Sequence, residues 1–267
     1  MTMAKVLELI AEAAPAFGSS ATRATRTRLE LEVCVARPSG NIVVFPMVAQ
    51  TSGGDRVAVR ENRTKSQRLP VYCPERHINR DGWLCLFWAS GDDAVVVLDQ
   101  QSAIDWWSAV INHLDGQLYA EKHRRWPGRA RAHGDAVKHQ ARAEAAAAAF
   151  GPEMAKALRQ GRLQLVPSEA RLLKTPTQPV RLVLDGKRVF AKTVEQEYVV
   201  NLRAPCPCTS PGRPKTLRKC GKHADEAFAL VDSLVRQQIA EEGFYADMIG
   251  KVACCGSMDD CPLAKAA

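Results

Sequence analysis

The sequence lacks any uninterrupted run of about 18 apolar residues, the length that a membrane-spanning helix requires. It also lacks compositional bias, since 46% hydrophobic and 25% charged residues are ordinary values for a globular protein. A mainly disordered, collagen-like or fibrous chain is therefore excluded. Near the N terminus, Glu8 and Glu12 interrupt an apolar stretch whose apolar residues fall on one helical face. We expect an amphipathic first helix rather than an export signal, and no membrane partner.

Acidic residues are outnumbered by basic ones, 29 against 37, which gives a formal net charge of +8. Residues 122–142 carry seven Lys or Arg and one acid, and residues 203–222 carry six and none. This excess favours an acidic partner, either nucleic acid or an acidic protein surface. Solvated charged faces would give the same pattern, so charge alone does not choose between these interpretations.

The first half of the chain predicts an antiparallel meander with flanking helices. Apolar residues alternate with other residues over 29–35, the period of a half-buried strand, and a link rich in Ser, Thr and Arg precedes them. Turn residues separate this run from two further strand patterns, at 42–49 and 56–60. Apolar residues recur at helical spacing over 102–126, with Ser102 as the expected N-cap. The fold class predicted is α+β.

The second half predicts a smaller α+β domain. A helical pattern runs from Asp135 to Gln160, and short strand patterns follow it. We place the domain boundary after residue 151, which gives a first domain over 1–151 and a second over 152–267. The predicted strands are residues 163–166, 180–184, 189–192 and 198–202, and a last helix is predicted over 225–242.

The nine cysteines are distributed unevenly. Without an export signal we expect a cytoplasmic protein, in which cysteines remain reduced thiols. Six of the nine lie in the last 62 residues. Clustered reduced cysteines bind metal more often than they form disulfides.

A ligand pattern for one metal ion lies in this region. Cys206-Pro-Cys208 is followed by Cys220-Gly-Lys-His223, which places four soft or borderline ligands in a basic stretch rich in Gly and Pro. This set is compatible with a structural zinc ion in tetrahedral coordination. The motif CPCTSPG…RKC resembles the SEC-C type of small zinc motif, with a longer gap before Cys220. Free surface thiols are the alternative interpretation.

Three further cysteines, Cys254, Cys255 and Cys261, follow near the end of the chain. They are possible ligands of a second zinc ion, with one more ligand from elsewhere in the chain. Alternatively, one of them replaces His223 as the fourth ligand of the first ion. The sequence leaves both arrangements open.

Cys85 is the candidate nucleophile. It lies between two leucines and comes three positions after the polar turn at residues 79–82, Asn-Arg-Asp-Gly. A buried structural cysteine is the alternative interpretation. The amide of Asn79 is near enough in sequence to donate a hydrogen bond to an oxyanion formed when Cys85 attacks a carbonyl carbon.

The stretch His77-Ile78-Asn79, followed by Asp81-Gly82-Trp83-Leu84-Cys85-Leu86, resembles the active-site signature of ubiquitin-conjugating enzymes. The order of predicted elements agrees with that family over residues 1–150. Arg125-Trp126-Pro127-Gly128 is similar to the ending of divergent bacterial members, which occur beside ubiquitin-like modifiers, activating enzymes and JAB-type peptidases.

The resemblance implies a role for each residue of the signature. Cys85 would accept the C-terminal acyl group of a ubiquitin-like protein as a thioester. Asn79 would stabilise the oxyanion, or the loop around it, and His77 would brace the turn. An acid that orients the incoming amine is also implied, and Asp92, Asp93 and Asp115 are the candidates.

Two departures from the family pattern concern Asn79. Ile78 stands where the family has proline, and the spacing from Asn79 to Cys85 is shorter than in the eukaryotic enzymes. These departures bear on the role of Asn79 more than on that of Cys85.

Three functions follow from these patterns. The first is a carrier enzyme that takes a ubiquitin-like protein from an activating enzyme to a protein target, which the resemblance places in bacterial antiphage defence. The second is a basic zinc-binding protein that binds nucleic acid. No base-reading motif or aromatic platform accompanies the basic segments, which disfavours it. The third is an inactive adaptor with the conjugating fold, which would more naturally have lost Cys85.

Overall fold

The computed structural model describes residues 3–51, 56–86, 96–127, 132–167, 179–193, 198–208 and 215–264. The chain forms two compact units, one made of Met1–Pro127 with Val252–Ala267 and the other of Gly128–Lys251. Both units combine helices with an antiparallel sheet, which confirms the predicted α+β class. The boundary that we placed after residue 151 lies within the second unit of this division. Among the described residues, no helix combines the length and the apolar composition needed to cross a bilayer.

The first unit is an antiparallel sheet with two main helices. The sheet has the strand order β1-β2-β3-β4, in which β1 is Ser20–Ala24, β2 is Arg28–Ala36, β3 is Ile42–Thr51 and β4 is Val57–Glu61. The helices are α1, Met3–Ala13, and α2, Gln100–His123, and short 3-10 helices lie at Ala14–Phe17, Pro74–Arg76, Arg80–Gly82 and Pro262–Ala264. The alternation expected of the first predicted strand is confirmed, because every second residue of β2 is buried. The meander is thus set by the period of the apolar residues.

Strand β1 lies within the segment that the sequence predicts as a link. All five of its residues are exposed, so it has no alternation of buried and exposed positions that a sequence pattern would show. It pairs with β2 from Ser20, opposite Glu32, to Ala24, opposite Leu29. Backbone pairing alone therefore accounts for this edge strand.

Helix α2 supplies the aromatic centre of the first core. Trp106 and Trp107 are both fully buried. The indole N–H of Trp106 donates to the carbonyl oxygen of Val57 at 3.0 Å, and that of Trp107 donates to the carbonyl oxygen of Ile10 at 2.8 Å. Both rings are thus buried with their only polar group satisfied, and they connect α2 to β4 and α1.

The N-cap of α2 is Asp99, so the expectation that Ser102 caps this helix is wrong. The Asp99 carboxylate accepts the backbone N–H of Ser102 at 2.8 Å, and the Ser102 hydroxyl accepts the backbone N–H of Asp99 at 3.0 Å. This reciprocal pair is a capping box, in which the two residues satisfy each other's free N–H groups.

In its described residues, the second unit has three α-helices and a three-stranded antiparallel sheet with the order β5-β6-β7. The helices are α3, Ala136–Ala149, α4, Pro152–Arg159, and α5, His223–Ala246; the strands are β5, Leu163–Pro167, β6, Pro179–Leu184, and β7, Lys187–Thr193; and a 3-10 helix lies at Leu217–Lys219. The single helix predicted over 135–160 is divided at Gly151. Its φ of 108° lies outside the helical region, and glycine adopts this conformation without a steric penalty.

The strand predicted over 198–202 does not form. The backbone N–H of Val200 donates to the carbonyl oxygen of Ala191 at 2.8 Å. The Asn201 side chain accepts the N–H of Ala191 at 2.9 Å and donates to the carbonyl oxygen of Val189 at 2.8 Å. The Asn201 amide therefore occupies hydrogen-bonding groups of the β7 backbone. A further strand would have to pair with these same groups.

Candidate active-site segment and metal centre

Cys85 lies at the end of a short backbone ladder beside β4. The N–H of Leu84 donates to the carbonyl oxygen of Val59 at 2.9 Å, and the N–H of Cys85 donates to that of His77 at 2.7 Å. The Cys85 side chain is half-buried, whereas both neighbouring leucines are buried. The main chain that leads into Cys85 is thus held by two hydrogen bonds, and the residue itself is partly exposed.

His77 holds this segment through its backbone and its ring. It is buried and has a left-handed backbone, with φ 51° and ψ 44°, and its N–H donates to the carbonyl oxygen of Pro74 at 2.7 Å. Its imidazole meets the ring of Trp126 edge-on at 5.0 Å between centroids. The bracing role that the resemblance implies for His77 stays a prediction.

Asn79 begins the turn that leads to Cys85. Its N–H donates to the carbonyl oxygen of Trp83 at 2.7 Å, and its carbonyl oxygen accepts the N–H of Gly82 at 3.2 Å. The side chain is exposed and makes no capping bond to the 3-10 helix that follows. Arg60 supports the turn, because its guanidinium stacks over the Trp83 ring at 4.5 Å and donates to the carbonyl oxygen of Asp81 at 3.1 Å. The amide of Asn79 is therefore presented to solvent on a supported turn.

Of the three acids considered for amine orientation, Asp92 and Asp93 lie outside the described residues. Asp115 is in α2, where its carboxylate accepts a hydrogen bond from Arg37 at 2.9 Å. Its role toward an incoming amine stays a prediction.

A buried arginine links the segment that contains His77 to helix α2. Arg76 is 3% exposed, and its Nε donates to the side-chain oxygen of Gln117 at 2.7 Å. The Gln117 amide donates in return to the carbonyl oxygen of Arg76 at 2.6 Å. Burial lowers the pKa of the Arg76 guanidinium. No sequence pattern links these two residues, since they lie 41 positions apart.

We expect Gln117→Ala to lower the free energy of unfolding of the first unit by about 1–3 kcal/mol, because a buried cation loses a hydrogen-bond partner. The control is Gln101→Ala, an exposed position on the same helix, with an expected change within about 0.5 kcal/mol. All five tryptophans lie between residues 83 and 126, so urea unfolding followed by tryptophan fluorescence reports on this unit. Equal midpoints for the two variants would contradict the structural role of the pair.

Cys73 and Cys255 meet in the first unit although 182 positions separate them. Their sulfur atoms are 2.8 Å apart, and the Cys255 sulfur is 3.0 Å from the hydroxyl of Ser257. The contact with Cys255, together with burial, raises the pKa of Cys73. The contacts with Cys73 and Ser257 lower the pKa of Cys255, and the charge of Arg76 acts in the same direction. No sequence pattern links these two cysteines either.

The segment around Cys255 is held by Arg124, the residue that follows α2. The N–H of Asp259 donates to the Arg124 carbonyl oxygen at 3.0 Å, and the guanidinium donates to the carbonyl oxygen of Gly256 at 3.0 Å and pairs with the Asp259 carboxylate. Cys254 accepts the N–H of Gly256 at 3.3 Å. Burial raises the pKa of Cys261, which interacts with Cys254, to about 11.

The second unit contains a group of four metal-ligating side chains. The ligand atoms of Cys206, Cys208, Cys220 and His223 all lie within 4.8 Å of one another. The His223 Nδ1 is 3.2 Å from the Cys206 sulfur and 3.4 Å from the Cys220 sulfur, and the sulfur atoms of Cys208 and Cys220 are 3.4 Å apart. Tetrahedral zinc with Zn–S of about 2.3 Å and Zn–N of about 2.0 Å requires separations of roughly 3.5–3.8 Å between ligand atoms. The four side chains could therefore hold such an ion after small shifts of their ligand atoms.

Local structure brings these ligands together. Pro205 and Thr216 form an isolated bridge, and the N–H of Cys206 donates to the carbonyl oxygen of Lys215 at 2.8 Å. Cys220 directly follows the 3-10 helix of residues 217–219, and His223 is the first residue of α5. Burial raises the pKa of Cys206 to about 12, a cost that a bound cation would offset by stabilising the thiolate.

The structure separates the two groups of C-terminal cysteines. Cys254, Cys255 and Cys261 belong to the first unit, whereas the four-ligand group lies in the second. Within the described ranges, this is the only group of three or more His, Cys, Asp or Glu side chains with the spacing for a metal ion. That metal binds there, and that the ion is zinc, stays a prediction.

Comparison with known families matches two consecutive parts of the chain. Residues 17–128 match the family model of the prokaryotic E2 domain. Residues 132–263 match that of a cysteine-rich domain located C-terminal to the E2 domain. Comparisons with curated proteins and with solved structures gave no match.

Proposed function

This chain is a prokaryotic E2-like protein with a cysteine-rich C-terminal region, and from that premise we propose that it carries a ubiquitin-like protein as a thioester on Cys85. The observation that carries the proposal is the position of Cys85, half-buried and fixed by the carbonyl oxygen of His77, within the part of the chain that matches the E2 domain. An activating enzyme, a ubiquitin-like protein and a protein target are the partners that this function requires.

The chemistry proposed is two successive acyl transfers. The Cys85 thiolate attacks the thioester carbonyl carbon of the modifier on the activating enzyme, and the enzyme's thiol leaves. An amine of the target then attacks the new thioester, and Cys85 leaves as a thiolate. Sulfur suits both steps because a thiolate is a strong nucleophile and also a good leaving group.

The experiment that tests this function is incubation with an activating enzyme, ATP and a ubiquitin-like protein. We expect a covalent adduct of one modifier per chain that a thiol reductant removes. An inactive adaptor with the same fold would bind the modifier without forming the adduct.

Asn79 is proposed to donate its amide to the oxyanion that forms when the amine attacks. Its exposed side chain stands on a turn held by Trp83 and Arg60, so a preorganised donor there is compatible with the structure. His77 acts through its backbone and its contact with Trp126, as a positioning residue.

Asn79→Ala is expected to form the thioester at the wild-type rate and to discharge it to free lysine about 10²–10³-fold more slowly, the usual effect of losing one oxyanion donor. The measurement is single-turnover discharge of the preloaded protein, with loading recorded separately. Asn41→Ala, in the exposed turn between β2 and β3, is the matched control. Equal discharge rates for both variants would remove Asn79 from the mechanism.

For the cysteine-rich region we propose a structural zinc ion on Cys206, Cys208, Cys220 and His223. The ion would order the segment rich in Gly and Pro that carries these ligands. The surface stabilised in this way would be available to bind the activating enzyme, the modifier or the target. The ion takes no part in the acyl transfers.

The setting proposed is a bacterial antiphage defence operon, with the protein acting in the cytoplasm. This proposal rests on the match to the prokaryotic E2 domain and on the ending at residues 125–128. It requires genes for an activating enzyme and a JAB-type peptidase nearby, and a neighbourhood without either would contradict it.

A further inference from the structure

Two cysteines that the proposed transfer chemistry does not use lie in direct contact. The sulfur atoms of Cys73 and Cys255 are 2.8 Å apart, and a disulfide bond requires about 2.05 Å. A shift of less than about 1 Å would therefore join them. Cys73 is buried, whereas Cys255 is half-buried and accessible from solvent.

The surroundings of this pair do not form a metal site. Besides the two sulfur atoms, the Ser257 hydroxyl is the group in contact with Cys255, at 3.0 Å. Within the described parts of the chain, no third His, Cys, Asp or Glu ligand atom completes a metal-binding group with them. A structural zinc site needs four protein ligands, so two thiols favour a different chemistry.

We propose that Cys73 and Cys255 form a reversible disulfide, with a low-molecular-weight disulfide as the oxidant. The Cys255 sulfur attacks one sulfur of the small disulfide and releases the first small thiol. Cys73 then attacks the Cys255 sulfur and releases the second. One disulfide bond is broken and one is formed, and the two cysteine protons leave on the two released thiols.

The disulfide would tie the tail, residues 252–264, to the segment that holds Cys85. The backbone N–H and carbonyl of Cys73 both pair with Ile78 at 3.0 Å. The loop closed by this pairing contains His77, whose carbonyl oxygen accepts the N–H of Cys85. In the reduced protein the polar contacts of Arg124 with Gly256 and Asp259 and the thiol contact of Cys73 with Cys255 hold the tail. Oxidation would add a covalent tie at the base of this loop.

The test uses the full chain with its metal. The protein is incubated with oxidised glutathione, free thiols are blocked with N-ethylmaleimide, and tryptic peptides are analysed without reduction. We expect a cross-link between the peptide of residues 69–76 and that of residues 252–265, lost on addition of dithiothreitol. Free thiols should fall by two per chain, and the zinc content should not change.

Variants identify the sulfur atoms, because the tail peptide contains three cysteines. Cys73→Ser and Cys255→Ser should each abolish the cross-link, while Cys254→Ser and the distant Cys34→Ser should leave it intact. The wild-type mapping needs no variant, so it shows whether Cys73 is joined to the tail even if a substitution prevents folding.

Three results would overturn the proposal: no cross-link while both thiols are alkylated under native conditions, a cross-link that survives in Cys255→Ser, or loss of one bound metal ion in Cys73→Ser. None of these readouts involves Cys85 or a modifier. Failure of the disulfide would therefore leave the proposed thioester function standing, and failure of thioester formation would leave the disulfide standing.

Discussion

Cys85→Ala protein is expected to form no covalent adduct with a ubiquitin-like protein, whereas the wild-type chain gains one that reductant removes. The loss should be complete, since alanine has no nucleophilic atom at the position fixed by the His77 carbonyl oxygen. Cys85→Ser should give an adduct that resists reductant, or a much slower one, because an alkoxide is a poorer nucleophile and leaving group than a thiolate. Denaturing electrophoresis with and without reductant, followed by intact mass, distinguishes the three proteins.

The matched control is Cys34→Ala. Cys34 is also half-buried and lies in the same unit, in the middle of β2, without a polar turn before it. This variant should load as the wild type does. A full, reductant-sensitive adduct on Cys85→Ala would refute the assignment, and an adduct mapped to Cys73 would move the active site.

Loss of the metal is expected to unfold the second unit and to leave the first unit folded. Structural zinc contributes roughly 10–16 kcal/mol of apparent binding free energy in small zinc-binding domains, whereas an entire domain is stable by about 5–15 kcal/mol. Purified protein should contain one zinc ion per chain. Cys206→Ser, at a buried ligand position, or treatment with a chelator should remove the ion.

The two units can be followed separately. All five tryptophans lie in the first unit, so the unfolding transition that their fluorescence reports should be the same with and without the metal. Far-ultraviolet circular dichroism also reports the helices of the second unit. After removal of the metal, part of this signal should be lost at a lower temperature than in the metal-bound protein. Cys34→Ser controls for the loss of a thiol. Protein without stoichiometric metal, and with unchanged melting after chelation, would count against the site.

Elements with a clear apolar period were predictable from the sequence. Every second residue of β2 is buried, and α2 presents Trp106 and Trp107 to the core, so burial and sequence pattern coincide there. The grouping of Cys206, Cys208, Cys220 and His223 was also predictable, because they lie within 18 positions and their chemistry is distinctive. In each case the information is local in the chain.

The features that escaped prediction depend on contacts between distant residues or on backbone pairing alone. Strand β1 is wholly exposed and carries no apolar period. The pair of Arg76 with Gln117 spans 41 positions, and the contact of Cys73 with Cys255 spans 182. A single sequence contains no signal that links such partners, because each residue is unexceptional in its own surroundings.

The return of the tail to the first unit has a consequence for biosynthesis. A ribosome completes residues 1–127 long before it adds residues 252–264, and the whole second unit is made in between. Domains generally fold in the order of their synthesis, but this unit is discontinuous in sequence. The nascent first unit therefore lacks the contacts of the tail with Cys73 and Arg124 until residues 252–264 have been made. A fragment truncated after residue 127 would lack these contacts permanently.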